Sequence, residues 1–434
     1  MHRLRNLWLI LALTLLLAPV ARPASGDSGV AAEAIDGEAA AAADARVLRE
    51  RVKQLEAENR RLRDERRRVE ADAVAAAETK QDVGFSPKYS RDGFTLADAD
   101  GDNRLTVYGQ LQLRYVAHEA APAPGVDDVS GFTLRRARLG VKGRVDLGSR
   151  FDYKVRAAFG RDDGELRLQD ALIGWHATKR LNLIVGQTKL PYARQELISS
   201  ARQLAAERSV ATGYFTLDRS QGVFAEAELT DDLDLSLAVT DGVDNPNTDF
   251  FTTGDAGLAY TGRLDWRVFG GGKQDNDVVA WSGRDDALFA GGAVNLNQSR
   301  EEGDQLGLTA DVLYKTGPVS VLAAGYFLDS DGTDGGTDLG LTLEGGLNVD
   351  DRWQPFARFD YVELDGADDP VLAYALGVNY FFRKHQTKFT ADVNFVSDLP
   401  GSSGRTPNRP GDGAGLFERL DDQVSLRLQF QLLF

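Results

Sequence analysis

The residues best placed to do chemistry are cations set two apart. In FTLRRARLGVKGRV (132–145), Arg136, Arg138, Lys142 and Arg144 share one parity, while Ala137, Leu139, Val141 and Val145 take the other. RFDYKVRAAF (150–159) sets Lys154 and Arg156, with Asp152, against Phe151, Tyr153 and Val155. Arg114 in TVYGQLQLRYV and Arg427 in SLRLQFQLLF complete the set. A guanidinium suits anions because its planar fork binds phosphate or carboxylate through two hydrogen bonds and stays charged. A row of such groups passes an anion along only if each holds it weakly enough to let go. Glu226, Glu228, Asp234 and Asp265 occupy the matching parity further along the chain. If one wall is basic and the facing arc acidic, a transverse field crosses the space between them and favours charged or polar solutes.

Those residues need strands to position them. From about residue 104 to the end, apolar and polar residues alternate with period two, the signature of a strand with two unlike faces. Sixteen such segments follow one another, from 104–118 and 131–145 to 386–397 and 423–434, with turn-rich gaps between. The gaps are unequal: a short turn at Asp146–Arg150 contrasts with DSDGTDGGTD (329–338). A soluble sandwich would have uniformly short turns and less charge on its polar faces. Short turns at one end and long loops at the other fit a transmembrane barrel. In hydrocarbon every backbone polar group must be paired, so strands cross only as a closed barrel. The expected fold is therefore all-β, a 16-stranded antiparallel transmembrane β-barrel. Its apolar face meets lipid, its polar face lines a lumen, and its last strand closes on its first. Tyr115, Trp175, Trp266, Tyr380 and Phe381 lie near segment ends, where interfacial aromatic girdles belong.

The stretch before the barrel reads differently. Arg3 and Arg5, an apolar run from Leu7 to Val20 and then small residues make a secretory signal, assigned to 1–26. The apolar run is too short to span a bilayer, which takes roughly 20 residues. Residues 27–44, rich in Ala, Gly and acids, read as a flexible spacer. Over 45–78, Leu48, Leu55, Leu62 and Val69 alternate with Val52, Asn59, Arg66 and Ala73 in a heptad seam, which predicts an N-terminal α-helical coiled coil. Residues 79–103 read as a linker to the barrel at 104–434.

Composition excludes several functions. The net charge is −16, and the first 85 residues balance, so the acidic excess belongs to the barrel region. That argues against nucleic acid, whose phosphates need a basic surface. There is no cysteine, hence no disulfide, thiolate metal site or cysteine nucleophile. The four histidines, His2, His118, His176 and His385, form no nucleophile–base motif, so enzyme activity is not expected. DADGD (98–102) starts like a calcium loop, but Asn103 stands where glycine is required. No metal site and no cofactor is expected.

Several stretches together resemble the phosphate-selective porin O and P family: FTLRRARLGVKG (132–143), LQDALIGW (168–175), LNLIVGQTKLPYARQELISS (181–200) and ERSVATGYFTLDRSQGVFAEAEL (207–229). GFTLADADGDNRLTVYGQLQLRY (93–115) looks like the family's approach to its first strand, and Phe434 resembles the terminal signal read by the outer-membrane barrel assembly machinery. The resemblance implies a trimeric outer-membrane channel of sixteen strands with residues 190–219 folded inward as a constriction loop. On that loop and at its root, Lys189, Arg194 and Arg202 would be the anion-side groups, with Glu196 and Glu207 as partners. YARQELISSARQLAAER (192–208) is helix-compatible. The family's cluster of lysines at the mouth has no counterpart: the chain holds 11 lysines, and DGVDNPNTD (241–249) and LDGADDP (364–370) are acidic. The reading that follows is a passive porin with a basic-walled constriction favouring small anions such as phosphate. The alternatives are a general diffusion porin without that preference and a tether to peptidoglycan through the coiled coil, whose basic run Arg60–Arg68 would meet an anionic polymer.

Overall fold

The computed structural model describes residues 50–69 except 52, 56 and 59, and then 85–90, 93–120, 129–160, 164–244, 246–247, 257–272, 274–298, 303–331, 335–397 and 422–434. The signal and spacer, and most of the linker before Phe85, lie outside them. The chain divides into two units, 1–83 and 84–434.

In the first unit the described residues between 50 and 69 are helical. The seam positions Leu55, Leu62 and Val69 are all exposed.

The second unit is a sheet of antiparallel strands. A hairpin comes first, β1 (Phe85–Ser90) and β2 (Gly93–Asp98), inside the stretch read as a linker. Then follow β3 (Arg104–Ala120), β4 (Val129–Asp146), β5 (Arg150–Phe159), β6 (Leu166–His176), β7 (Leu181–Lys189), β8 (Arg219–Glu228), β9 (Leu233–Asp241) and β10 (Leu258–Phe269). The second half holds β11 (Ala287–Asn297), β12 (Gln305–Thr316), β13 (Val319–Ser330), β14 (Gly336–Leu347), β15 (Trp353–Glu363), β16 (Val371–Arg383), β17 (Thr387–Val396) and β18 (Gln423–Leu433). Each strand from β3 to β18 pairs with the next, and β18 pairs back onto β3, from Gln423↔Ala120 to Leu433↔Gln110. The result is the closed 16-stranded barrel that the alternation predicts, with segment ends within two or three residues of those read from the sequence.

At the seam the chain terminus is fastened by backbone. Gly109 N donates to Phe434 O at 2.7 Å, and Phe434 N donates to Gly109 O at 3.2 Å. The Phe434 ring lies over Gly109, where a Cβ would come within 2.3 Å of it, so only glycine admits this approach. Below this point β2 takes over the same edge of β3, Phe94↔Val107 to Ala97↔Arg104, as a collinear continuation of β18.

Side chains sort by parity as strands require. Leu111, Leu113, Leu139, Val155, Ile173 and Val185 point outward and are exposed. Gln110, Gln112, Arg114 and Arg427 point inward and are buried. No described helix is long and apolar enough to cross a membrane, so a crossing falls to the strands. Trp175 and Trp266 are exposed on the outer face as girdle residues should be. Phe381 is not: its parity is inward, it is 2% exposed, and it packs on Trp281.

Candidate functional site

The lumen is filled on one side. Residues 190–218, between β7 and β8, run into it with two short helices, α1 (Arg194–Leu197) and α2 (Val210–Phe215). The longer helix that 192–208 would allow does not form. Wall side chains bond to the backbone instead, as buried peptide groups require. Asp392 accepts from Ala206 N at 2.8 Å and Asp360 from Val210 N at 3.0 Å. Arg358, Lys388 and Asn379 donate to the carbonyls of Glu207, Gln203 and Leu204 at 2.9, 2.8 and 2.9 Å. Ser209 caps α2 by accepting from Thr212 N.

Apolar packing seats the same segment against β11–β17. Leu190, Tyr192, Val210, Ala211, Tyr214 and Phe215 cluster with Ala324, Tyr326, Val362, Val371, Ala373 and Val396. These wall residues point inward, against the general rule of a polar lumen, because the inserted segment covers them. Phe215 stacks on Tyr326, with ring centroids 5.4 Å apart, and presses into a notch at Gly340. As a result inward side chains of β11–β18 are buried, and on β18 Gln423, Ser425, Arg427, Gln429 and Gln431 are at most 2% exposed. On β4–β9 many are open: Arg138, Lys142, Arg144, Asp152, Lys154 and Arg156 are half-buried, and Glu226, Glu228 and Asp234 are exposed. Water therefore has access along the β4–β9 wall.

Between that wall and the inserted segment lie clusters in which cations outnumber acids. Glu207 is paired with Arg114 at 3.1 Å, with Arg135 at 2.7 Å and with Arg136. Burial alone would raise the Glu207 carboxyl, but Arg135, Arg136 and Arg114 hold it well below the usual carboxylate range. Asp170 pairs with Lys154 and Arg156, both at 2.8 Å, and with Arg219 at 3.0 Å, and Arg219 also meets Asp218 at 2.6 Å. Glu196 pairs with Lys189 and Arg208, each at 3.0 Å. Its burial is likewise offset, by Arg208 and Lys189, which hold its carboxyl down at about 2. Among the described residues Arg138 has no carboxylate: its guanidinium donates to Ser200 Oγ at 2.9 Å and Gln110 Oε1 at 3.3 Å, its Nε has no partner there, and its charged neighbours are Arg136, Arg156, Arg219 and Arg208. These groups together are nine cations facing Glu207, Asp170, Asp218 and Glu196.

The remaining sequence candidates have the following places. Arg194 is 4% exposed and bridges Asp265 at 2.8 Å and Asp311. Arg263 joins the same two carboxylates, at 2.7 and 2.8 Å, so Asp265 is neutralised within a balanced group and is no open acid. Arg427 is 1% exposed and bonds Asp392 at 2.7 Å and Asn394 at 2.8 Å. Arg114 is 1% exposed and fastens Gln429, Ala206 O and Glu207. Arg114, Arg136 and Arg194 are thus packed between wall and inserted segment and hold the two together, while Arg427 is buried against Asp392, which itself accepts from Ala206 N of the segment; none of the four offers a surface to a solute. Arg144 pairs with Asp152 at 3.1 Å, and Lys142 Nζ stands 5.2 Å from the Tyr108 ring centre. Glu226 accepts from Asn182 at 3.2 Å, while Glu228 and Asp234 are paired in register at the short-turn end. Arg202 donates to Asn276 O, at 3.4 Å.

Sequence reasoning passed over Arg135, Arg208, Arg219 and Asp170. Arg135 escapes the parity rule because the register shifts between Gln112 and Leu113, a β-bulge that lets consecutive arginines reach one carboxylate. Asp170 sits by a second shift, between Arg156 and Ala157. Its mark in the sequence is an acid breaking the apolar alternation of LRLQDALIGW.

Solved structures share the fold. OmpT expressed in the outer membrane of Vibrio cholerae is 16% identical with a TM-score of 0.53, over 77% of this chain and 98% of that one. An anion-selective porin from Comamonas acidovorans is 13% identical with a TM-score of 0.54, over 76% and 99%. The outer membrane channel DcaP of Acinetobacter baumannii is 13% identical with a TM-score of 0.52, over 77% and 99%. No curated protein matches. The family model for phosphate-selective porin O and P matches residues 105–324, just over half of the chain, covering β3 through the first half of β13 and including the inserted segment with its arginines. By that match this chain belongs to the phosphate-selective porin O and P family, a family of outer-membrane porins.

Proposed function

We propose that the protein is a passive channel of the bacterial outer membrane whose constriction favours small anions, phosphate among them. One observation carries the preference: Arg138 is a half-buried cation on the water-accessible wall that, among the described residues, meets only neutral partners and other arginines. A cation without a counterion in a partly desolvated place costs free energy until an anion arrives. The surplus of cations around it acts in the same direction, within a chain whose net charge is −16. Arg136, Arg156, Arg208 and Arg219 flank this position. Arg144 and Lys142 continue the basic wall, and Glu226, Glu228 and Asp234 form the acidic arc at the short-turn end. By the usual arrangement of outer-membrane barrels that end is periplasmic. Reversal potentials in planar bilayers under a salt gradient test the reading: a chloride- or phosphate-directed potential is expected, and a cation-directed one removes the anion preference.

In the same reading the chain assembles as a trimer through lipid-facing strands, is inserted by the barrel assembly machinery that reads Phe434, and extends its helical segment into the periplasm. Exposure of Leu55, Leu62 and Val69 favours a coiled coil, because that apolar seam has no cover among the described residues. The basic run Arg60–Arg68 favours a secondary tethering role at peptidoglycan. Loss of wall co-sedimentation on deletion of 45–78 is the expected result; unchanged co-sedimentation removes the tether and leaves an oligomerising role.

A further inference from the structure

Seven connections between barrel strands lie at the short-turn end, and six of them are turns of a few residues; the seventh, between β10 and β11, spans 270–286. Its centre turns into the lumen. Val278, Val279 and Trp281 are buried against Leu313 of β12, Leu322 of β13 and Phe381 of β16. The barrel supplies partners for its polar atoms as well. Lys315 Nζ donates to Gln274 O at 2.8 Å and Asn348 Nδ2 to Ala280 O at 2.7 Å. Asp277 bonds His385 Nε2 at 2.9 Å and accepts from Trp281 Nε1 at 2.8 Å, and Lys384 Nζ stands 5.0 Å from the Trp281 ring centre.

This segment meets the one inserted from the other end. Ile198 and Leu204 share its apolar cluster, and Arg202 Nη1 donates to Asn276 O at 3.4 Å. Asn276 itself is exposed. We propose that residues 270–286 form a second constriction element, which lengthens the narrow part of the bore toward the short-turn mouth. It covers the β12–β16 side there, so that a solute leaving the first constriction must pass Arg144, Asp152, His176, Glu228 and Asp234 on the opposite side. The proposal rests on the channel reading but not on its anion preference.

Two variants of the full chain test it in planar bilayers. Deleting 273–283 leaves a short turn in place of the segment, and single-channel conductance should rise roughly two-fold. The chain has no cysteine, so Asn276→Cys introduces a unique thiol. Reaction with a bulky charged thiol reagent should cut the current by roughly half. Unchanged conductance in the deletion variant, with its heat-modifiable gel shift retained, overturns the proposal. If the deletion variant does not fold, the thiol variant decides, and a current indifferent to labelling overturns the proposal. A wild-type protein that conducts nothing fails the channel reading and the constriction element with it, whereas a cation-directed reversal potential fails only the anion preference.

Discussion

Arg114 and Glu207 lie 3.1 Å apart, joining the first barrel strand to the segment that crosses the lumen. Glu207 also faces Arg135 and Arg136, so one carboxylate balances three guanidinium groups. Removing one partner of a buried ion pair costs about 3–5 kcal/mol, since the other charge is left uncompensated. Glu207→Gln should therefore lower the midpoint of thermal unfolding, read as loss of the heat-modifiable gel shift. It should also loosen residues 190–218, read as protease cleavage in that segment.

Arg138 has no such partner among the described residues, and its removal should cost little stability. An anion about 4 Å from a unit charge gains about 1 kcal/mol even at the dielectric constant of water. Arg138→Ala should accordingly reduce the anion-to-cation permeability ratio by roughly five-fold, and Arg138→Glu further. The reversal potential in a salt gradient measures both.

Asp244 supplies a pH dependence. Burial, with Asp218 and Glu196 beside it, pushes its carboxyl up to about 7 against the opposing pull of Arg219. Its backbone N–H holds Leu217 O at 3.0 Å, tying the β9–β10 loop to the end of the inserted segment. A carboxyl raised in this way stabilises that contact fully below its ordinary value of 3.8, and the contribution is lost as pH rises through about 7. Current fluctuations should increase between pH 6 and pH 8. Asp244→Asn, neutral throughout, should abolish the change.

Gly340 is the notch for Phe215: a Cβ there would lie 2.4 Å from the ring. Gly340→Val should cost about 1–3 kcal/mol of seating without touching the barrel's hydrogen bonds. The expected outcome is a wider or noisier channel with an intact gel shift, checked by single-channel recording.

Strands were the legible part of this chain. Alternation over LNLIVGQTK marks β7 at 181–189, the span it occupies, because side-chain parity there reports lipid against lumen directly. The same rule fails at Phe381, and it could not foresee Leu313, Leu322 or Phe356 on an inner face. Those positions answer to a second layer of chain inside the barrel, which parity along one strand cannot register. Arg194 looked like a free cation because its carboxylate, Asp311, comes from a distant strand, and Arg427 because the register that sets it opposite Asp392 of β17 is fixed across the long 397–422 connection. The turn at 270–286 carried no local signal beyond its length, since its cover comes from several strands at once, β12, β13 and β16 among them.

The pairing of β18 with β3 joins residues such as Arg114 and Gln429, whose side chains bond at 2.7 Å across 315 positions. Contacts so remote along the chain form late, after their loop-closure entropy is met by earlier neighbours. Until β18 is in place, β3 keeps a bare rim from Gln110 to Ala120, while the hairpin ahead of it already protects Arg104 to Val107. A chain that has not yet closed is a curved ribbon with an adhesive border, and its hazard is sticking to another such ribbon.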